Sequence, residues 1–289
     1  MENIVDERFS RQLALFGKEG QYKLQKTVLT LVGYGGLGTH LLPQIMMLGV
    51  KKVFVIEPEY FDTTNRSRYM GFNYNDIGEA KTNVAVRVVR AIDPECKIYA
   101  IQKPLESPEA FDAVKQANIV VGCLDSDGPR QVLNELCIAY EKPYIDMASE
   151  VFPDGTYGGR VAVVKDGIGC LNCMGVGLDQ DEISNYFSNR ETLENKAAVY
   201  GVDIKHLTVG SGPSVVSLNG VVASLGVTEL QALITGIREP FKYLNYRGHL
   251  QQITKGEVPA NNDCYFCEQY GRKEATDVER YIKVRKLVG

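Results

Sequence analysis

The sequence lacks the marks of several broad protein classes. Its 32 Lys and Arg face 36 Asp and Glu, leaving a net charge of −4 over 289 residues. Non-specific nucleic-acid binding needs a basic footprint, so nucleic acid is not an expected partner. No basic-then-apolar stretch opens the chain, because Asp6, Glu7 and Arg8 interrupt it. The expected compartment is therefore the cytoplasm. A clean membrane span is missing too. The most apolar stretch, Ser214 to Ile234, carries Asn219, Glu229 and Gln231 and reads as a buried helix. The three histidines, His40, His206 and His249, show no ligand spacing. No repeat, low-complexity tract or linker divides the chain, so a single domain over residues 1–289 is expected, long enough to bury a substantial core.

What is present begins with a β-type run, Val28-Leu29-Thr30-Leu31-Val32, that breaks into Gly33-Tyr34-Gly35-Gly36-Leu37-Gly38 ahead of a helical segment over 39–48. The G-x-G-x-x-G spacing suits a tight turn, close backbone approach to a phosphate and close packing of helix on strand. The helix start offers free N–H groups to an anion. The next apolar run, Val53 to Ile56, ends in Glu57, nineteen residues beyond Gly38, where an acid can hold a ribose. The glycines alone do not separate a nicotinamide dehydrogenase from an ATP-using enzyme, nor either from a nucleotide-free α/β turn.

Further along, polar residues gather where strands end. Asn65, Arg66 and Arg68 lie in the loop after the second strand, where an arginine fork can grip phosphate, although a solvated basic loop has the same look. Lys81 falls in the first turn of the helix carrying Val84, Val88, Val89 and Ile92, a poor place for a cation unless an anion is near. Asp125 follows the buried strand Asn118–Cys123 and can hold magnesium, which takes one or two carboxylates plus phosphates. Asp127 is the better candidate for a helix cap.

The remaining pattern alternates helices and strands. It runs through an N-terminal helical segment (1–27), a strand Lys97–Ile101 and a helix capped by Ser107 with Pro108 first and ending at Gln116. A helix Pro129–Tyr140 and a strand Pro143–Met147 follow, then Thr156–Val164, whose alternation suits antiparallel pairing. A long helix from Pro213 to Ile234, late strands Phe241–Tyr246 and His249–Ile253, and a charged tail (272–289) complete it.

Seven cysteines and no signal argue against a disulfide framework. Four form two C-x-x-C pairs, Cys170/Cys173 and Cys264/Cys267, about ninety residues apart. Together they supply the thiolates of a closed, structural zinc site; a redox dithiol or unrelated thiols are the alternatives. Cys96, Cys123 and Cys137 read as small buried apolar residues.

In combination these features resemble the ThiF/MoeB/HesA group of adenylyltransferases, bacterial relatives of ubiquitin-activating enzymes. The resemblance runs from Arg8 to Cys267. It rests on Arg11-Gln12, the glycines Gly33, Gly35, Gly36 and Gly38, Glu57, Asn65-x-x-Arg68, Gly78-x-x-Lys81, Asp125 with Arg130, and the two cysteine pairs. It implies a Rossmann-like mixed α/β sheet with a parallel nucleotide-binding half, antiparallel later strands and helices on both faces. It also implies ATP-dependent adenylation of a carboxylate, commonly the Gly-Gly terminus of a ubiquitin-like or sulfur-carrier protein, by a homodimer. By position, Glu57 would hold the ribose, Asn65, Arg68 and Lys81 the phosphates, and Asp125 magnesium, while Arg11 would reach the other subunit's site. Alternatives are a short peptide or small carboxylate as acceptor, or a non-catalytic subunit of a heterodimer. The chain departs from the pattern at Glu57 (commonly Asp), Tyr69 (often Gln) and Ser126 (commonly Asn). The crossover segment 174–212 contains no cysteine, which implies a reaction that stops at the adenylate.

Overall fold

The computed structural model describes residues 7–165, 169–188, 212–256, 264, 266–267 and 278–282. Most of the crossover segment (189–211) and most of the charged tail lie outside the described residues.

Every strand among the described residues joins one eight-stranded sheet of order β3-β2-β1-β4-β5-β6-β7-β8. In chain order these are β1 (Val28–Val32), β2 (Lys52–Ile56), β3 (Lys97–Ile101), β4 (Ile119–Gly122), β5 (Tyr144–Val151), β6 (Tyr157–Val164), β7 (Tyr243–Arg247) and β8 (Gln252–Lys255). β1 to β5 run parallel, and β5 to β8 pair antiparallel. The inner parallel strands are apolar runs because both sheet faces are covered. On one face lie α1 (Leu13–Lys26), α2 (Gly36–Leu48), α3 (Lys81–Ile92) and α7 (Val216–Thr235); on the other lie α4 (Pro108–Gln116) and α5 (Asp127–Ala139), with the short α6 (Gln180–Tyr186) against α5. This is the mixed, two-faced α/β sheet expected.

Helix ends follow local chemistry. Ser107 caps α4 by accepting the Ala110 N–H, and Pro108 fills the first helical position, as expected. α5 starts earlier than its sequence suggests, at Asp127. Pro129 is tolerated in that first turn because its missing N–H would have had no helical partner. β5 runs past Met147 to Val151 because Ala148–Val151 pair with β6. The long helix starts at Val216 rather than Pro213, and a short turn at Gly248–Leu250 delays β8 to Gln252.

By length and composition α7 could cross a membrane. Here it packs along α2 and α1 and onto β5 and β6, and it buries Asn219 and Glu229. Glu229 receives both terminal nitrogens of Arg238 (2.8 and 2.6 Å) and the Phe241 N–H, which satisfies its charge.

The order β3-β2-β1-β4 places a topological switch point between β1 and β4. Ligands of open α/β sheets bind outside the carboxyl ends of strands at such a point.

Candidate active site

The glycine turn opens at that switch point. Gly33 has φ +91°, and a Cβ there would press on the Cys123 carbonyl. A Cβ on Gly36 would strike the Asn219 amide, and one on Gly38 would fall inside the Gly33 carbonyl. Asn219 is itself fixed, accepting from Ser149 Oγ (2.7 Å) and donating to Ser214 Oγ (3.0 Å). Gly35 differs: a Cβ there would make only ordinary van der Waals contact, with the Tyr69 hydroxyl at 3.5 Å. It also sits at the N-cap of α2, with no side chain capping the first N–H groups.

In front of the turn lies a cleft of about 650 Å³ at the carboxyl ends of β1, β2 and β4. Gly33, Gly35, Gly36, Glu57, Arg68, Lys81 and Asp125 all line it, with Glu59, Tyr69, Ser126 and Arg130. Three other expected site residues do not. Gly38 is a packing glycine against Gly33. Asn65 is buried in the loop after β2, where Asp62 accepts the Thr64 and Asn65 N–H groups (2.6 and 3.1 Å) and Asn65 Oδ1 accepts the Asp62 N–H at 3.4 Å. That brace shapes the loop carrying Arg68, whose guanidinium donates to the Thr64 carbonyl (2.8 Å). Arg11 is exposed, away from this chain's cleft lining.

Charge in the cleft centres on Lys81. It opens α3 with only 3% of its side chain exposed, and its Nζ lies 2.5 Å from Glu59 Oε2 and 3.2 Å from the Tyr69 hydroxyl. Burial alone would lower its pKa; Glu57, Tyr69 and Glu59 together outweigh that and raise it. Glu57 accepts the Tyr34 and Glu59 N–H groups (2.8 and 2.9 Å), while its burial holds its pKa above the usual carboxylate range. Asp125 is open to water in the cleft but ringed by its walls. Desolvation, then the like charge of Glu59, raises its pKa. Asp125 and Glu59, two of the carboxylates lining the cleft, are the donor type that a divalent cation takes together with phosphate.

Sequence reasoning missed several neighbours. Glu59 had a readable signal, as a second acid just past the end of β2. Asp146, on β5, gave none. It is fully buried, receiving Arg130 Nη1 (2.5 Å) and the Tyr144 hydroxyl (2.8 Å) on Oδ1. Asp127 is the first residue of α5 rather than its cap. Its carboxylate holds Arg130 Nε (3.2 Å) and the Asp179 N–H (2.8 Å), while Glu182 on α6 takes the Asp127 N–H (2.8 Å).

The four paired cysteines converge and are buried together. Cys170 Sγ lies 3.8 Å from Cys173 Sγ and 3.7 Å from Cys264 Sγ, and Cys173 Sγ lies 3.5 Å from Cys267 Sγ. All four sulfurs fall within 4.8 Å of one another. A tetrahedron of thiolates at the zinc–sulfur distance of about 2.3 Å places its sulfurs about 3.8 Å apart. The donor set fits zinc with no open position for catalysis.

With this geometry in place, comparison with known proteins is decisive at the level of family: the sequence model of the ThiF family matches residues 9–269. The chain belongs to the ThiF family. Among similar ThiF-type relatives, the sulfur carrier protein ThiS adenylyltransferase of Escherichia coli K12 is 27% identical over 81% of this chain and 83% of its own length. The sulfur carrier protein adenylyltransferase of Thermus thermophilus is 30% identical over 48% of this chain, and the probable molybdopterin-synthase adenylyltransferase of Porphyra purpurea 29% identical over the same share. Those two alignments span only 52% and 37% of the relatives' lengths. In fold, the chain is similar to E. coli MccB solved with MccA-N7isoASN, with TM-score 0.71, 22% identity, and 92% of this chain and 75% of that one covered.

Proposed function

We propose that this ThiF-family chain is an ATP-dependent adenylyltransferase that activates the C-terminal carboxylate of a ubiquitin-like or sulfur-carrier protein. The observation carrying the proposal is the convergence of Arg68, Lys81 and Asp125 on one cleft that Gly35 also lines. A dehydrogenase has no use for that set.

The reaction joins an acceptor carboxylate oxygen to the α-phosphorus of ATP and breaks the bond to pyrophosphate, which leaves. A carboxylate is a weak nucleophile and the phosphates repel it, so alignment and charge neutralisation are the protein's main contributions. In this reading Glu57 receives the ribose hydroxyls, and the α2 N-terminus with Gly35 receives phosphate oxygens. Lys81 and Arg68 neutralise phosphate charge, and Asn65 acts indirectly by bracing the Arg68 loop. Asp125, with Glu59 nearby, would hold magnesium, which supplies Lewis-acid charge to the phosphates. The four cysteines would hold structural zinc.

A homodimer, with Arg11 donated to the partner's cleft, completes the proposal. The neighbouring helices α1, α2 and α7 support it by leaving Leu15, Tyr22, Met47 and Val221 exposed. Two of the named relatives are sulfur-carrier-protein adenylyltransferases, which favours that acceptor class. The likeness to MccB, solved with MccA, makes a peptide acceptor the second reading. Incubation with ATP, magnesium and either Gly-Gly-ending carrier proteins or short peptides tests both, with the adenylated acceptor detected by intact mass. Adenylation of a carrier supports the first reading, adenylation of peptides alone the second, and adenylation of neither contradicts both.

A further inference from the structure

A second cleft, of about 440 Å³, lies over the antiparallel half of the sheet, with Tyr157, Tyr243, Asn245 and Arg247 among its walls. The two clefts share three lining residues, Ala148, Glu150 and Arg160. Register explains the junction. Ala148 on β5 pairs with Arg160 on β6, which in turn pairs with Asn245 on β7, and directly paired residues point to the same face. On that face Gly158, two residues before Arg160, lines the second cleft, while Ala162, two residues after it, is buried in the core, so the arginine stands at the inner end of the groove.

Arg160 is the one cation among the residues common to both clefts. It is held there by charge rather than by hydrogen bonds: its Nε lies 3.8 Å from Asp146 Oδ2, too far to bond, and both atoms are buried without a hydrogen-bond partner. The opposite oxygen of Asp146 is already committed to Arg130 and Tyr144. The guanidinium therefore stands in the passage with its fork of donors uncommitted among the described residues, the geometry that receives a carboxylate. Glu150, exposed at the same junction, would repel one.

We propose that Arg160 is a positioning residue that receives the acceptor's terminal carboxylate where the groove over β5–β7 opens into the nucleotide cleft. This rests on the adenylation reading for its meaning, but the carboxylate site is measurable without turnover.

The probe is a fluorescein-labelled peptide ending in Gly-Gly with a free carboxylate, compared with the same peptide as its terminal amide. Both are titrated with the full chain by fluorescence anisotropy. Wild type should prefer the acid by about tenfold or more, the value of a charge-assisted bidentate pair. Arg160→Met should bind acid and amide alike, and Arg160→Lys should keep part of the preference. ATP affinity should stay within about twofold of wild type in both variants. The inference is overturned if wild type does not discriminate, including binding neither peptide at millimolar concentration. A preference that survives in Arg160→Met also overturns it, as does an equal fall in ATP affinity, which would make Arg160 a phosphate ligand. If Arg160→Met does not fold, the acid–amide comparison in wild type and Arg160→Lys still decides. Absence of adenylation with an intact acid preference would sink the proposed reaction and leave this site standing.

Discussion

Lys81 and Glu59 meet at 2.5 Å across the floor of the cleft, the lysine almost fully buried and the glutamate side chain 65% exposed. The pair is asymmetric: Glu59 can turn into water at little cost, whereas Lys81 cannot. An incoming phosphate would thus exchange with Glu59 for the same ammonium. Lys81→Met is expected to lower ATP affinity by about tenfold or more, and Glu59→Gln to raise magnesium-free ATP affinity a few-fold by removing the competitor. Isothermal titration checks both. Unchanged affinity in Lys81→Met would remove Lys81 from the phosphate site.

Asp125 makes a prediction about pH with a definite sign. Its folded-state pKa is raised, first by desolvation and then by Glu59, so the folded chain binds this proton more tightly than the unfolded chain. Its contribution to stability therefore falls as pH rises from the ordinary aspartate pKa, about 3.9, through the raised folded value. The stability difference between Asp125→Asn and wild type should shift in favour of the variant across that interval, as read by urea unfolding at a series of pH values. The same variant should lose acceptor-dependent pyrophosphate exchange by two orders of magnitude or more, as about expected for a lost metal ligand.

The glycines should divide into two groups. Gly38→Ala drives a methyl into the Gly33 carbonyl and should cost about 2–3 kcal/mol of stability. Gly35→Ala meets only the Tyr69 hydroxyl at 3.5 Å and should fold normally while binding ATP more weakly. Denaturant melts with parallel ATP titrations separate the two effects. Equal stability of both variants would contradict the packing role assigned to Gly38.

Zinc should copurify at one per chain. Removing it should lower the melting temperature, because four thiolates from two distant segments would lose their common tie. Cys264→Ser should reproduce the loss. A metal-free preparation of equal stability would exclude a structural metal.

These outcomes bear on how far the sequence could be read. Gly33 and Gly35 were legible because a tight turn is local, and Lys81 because a cation in a helix's first turn violates a local preference. The packing role of Gly38 was legible too, because the motif keeps its last glycine for close packing of helix on strand; that it packs on the Gly33 carbonyl is what the fold adds. Asp127 looked like a cap because caps are read from the adjacent residue, but the α5 N-terminus is served by Glu182, 55 positions away. Asp146 and Arg160 were invisible because their neighbourhood depends on the β5–β6 register. The cysteine pairs were legible as pairs; only the fold brings them together.

The central claim is tested most directly by exchange of labelled pyrophosphate into ATP, with magnesium, in the presence and absence of Gly-Gly-ending carrier proteins and short peptides. The account predicts exchange that requires one acceptor class and is lost in Asp125→Ala, with the variant still folded. Exchange that persists in folded Asp125→Ala, or ATP binding without exchange for any acceptor, would contradict it.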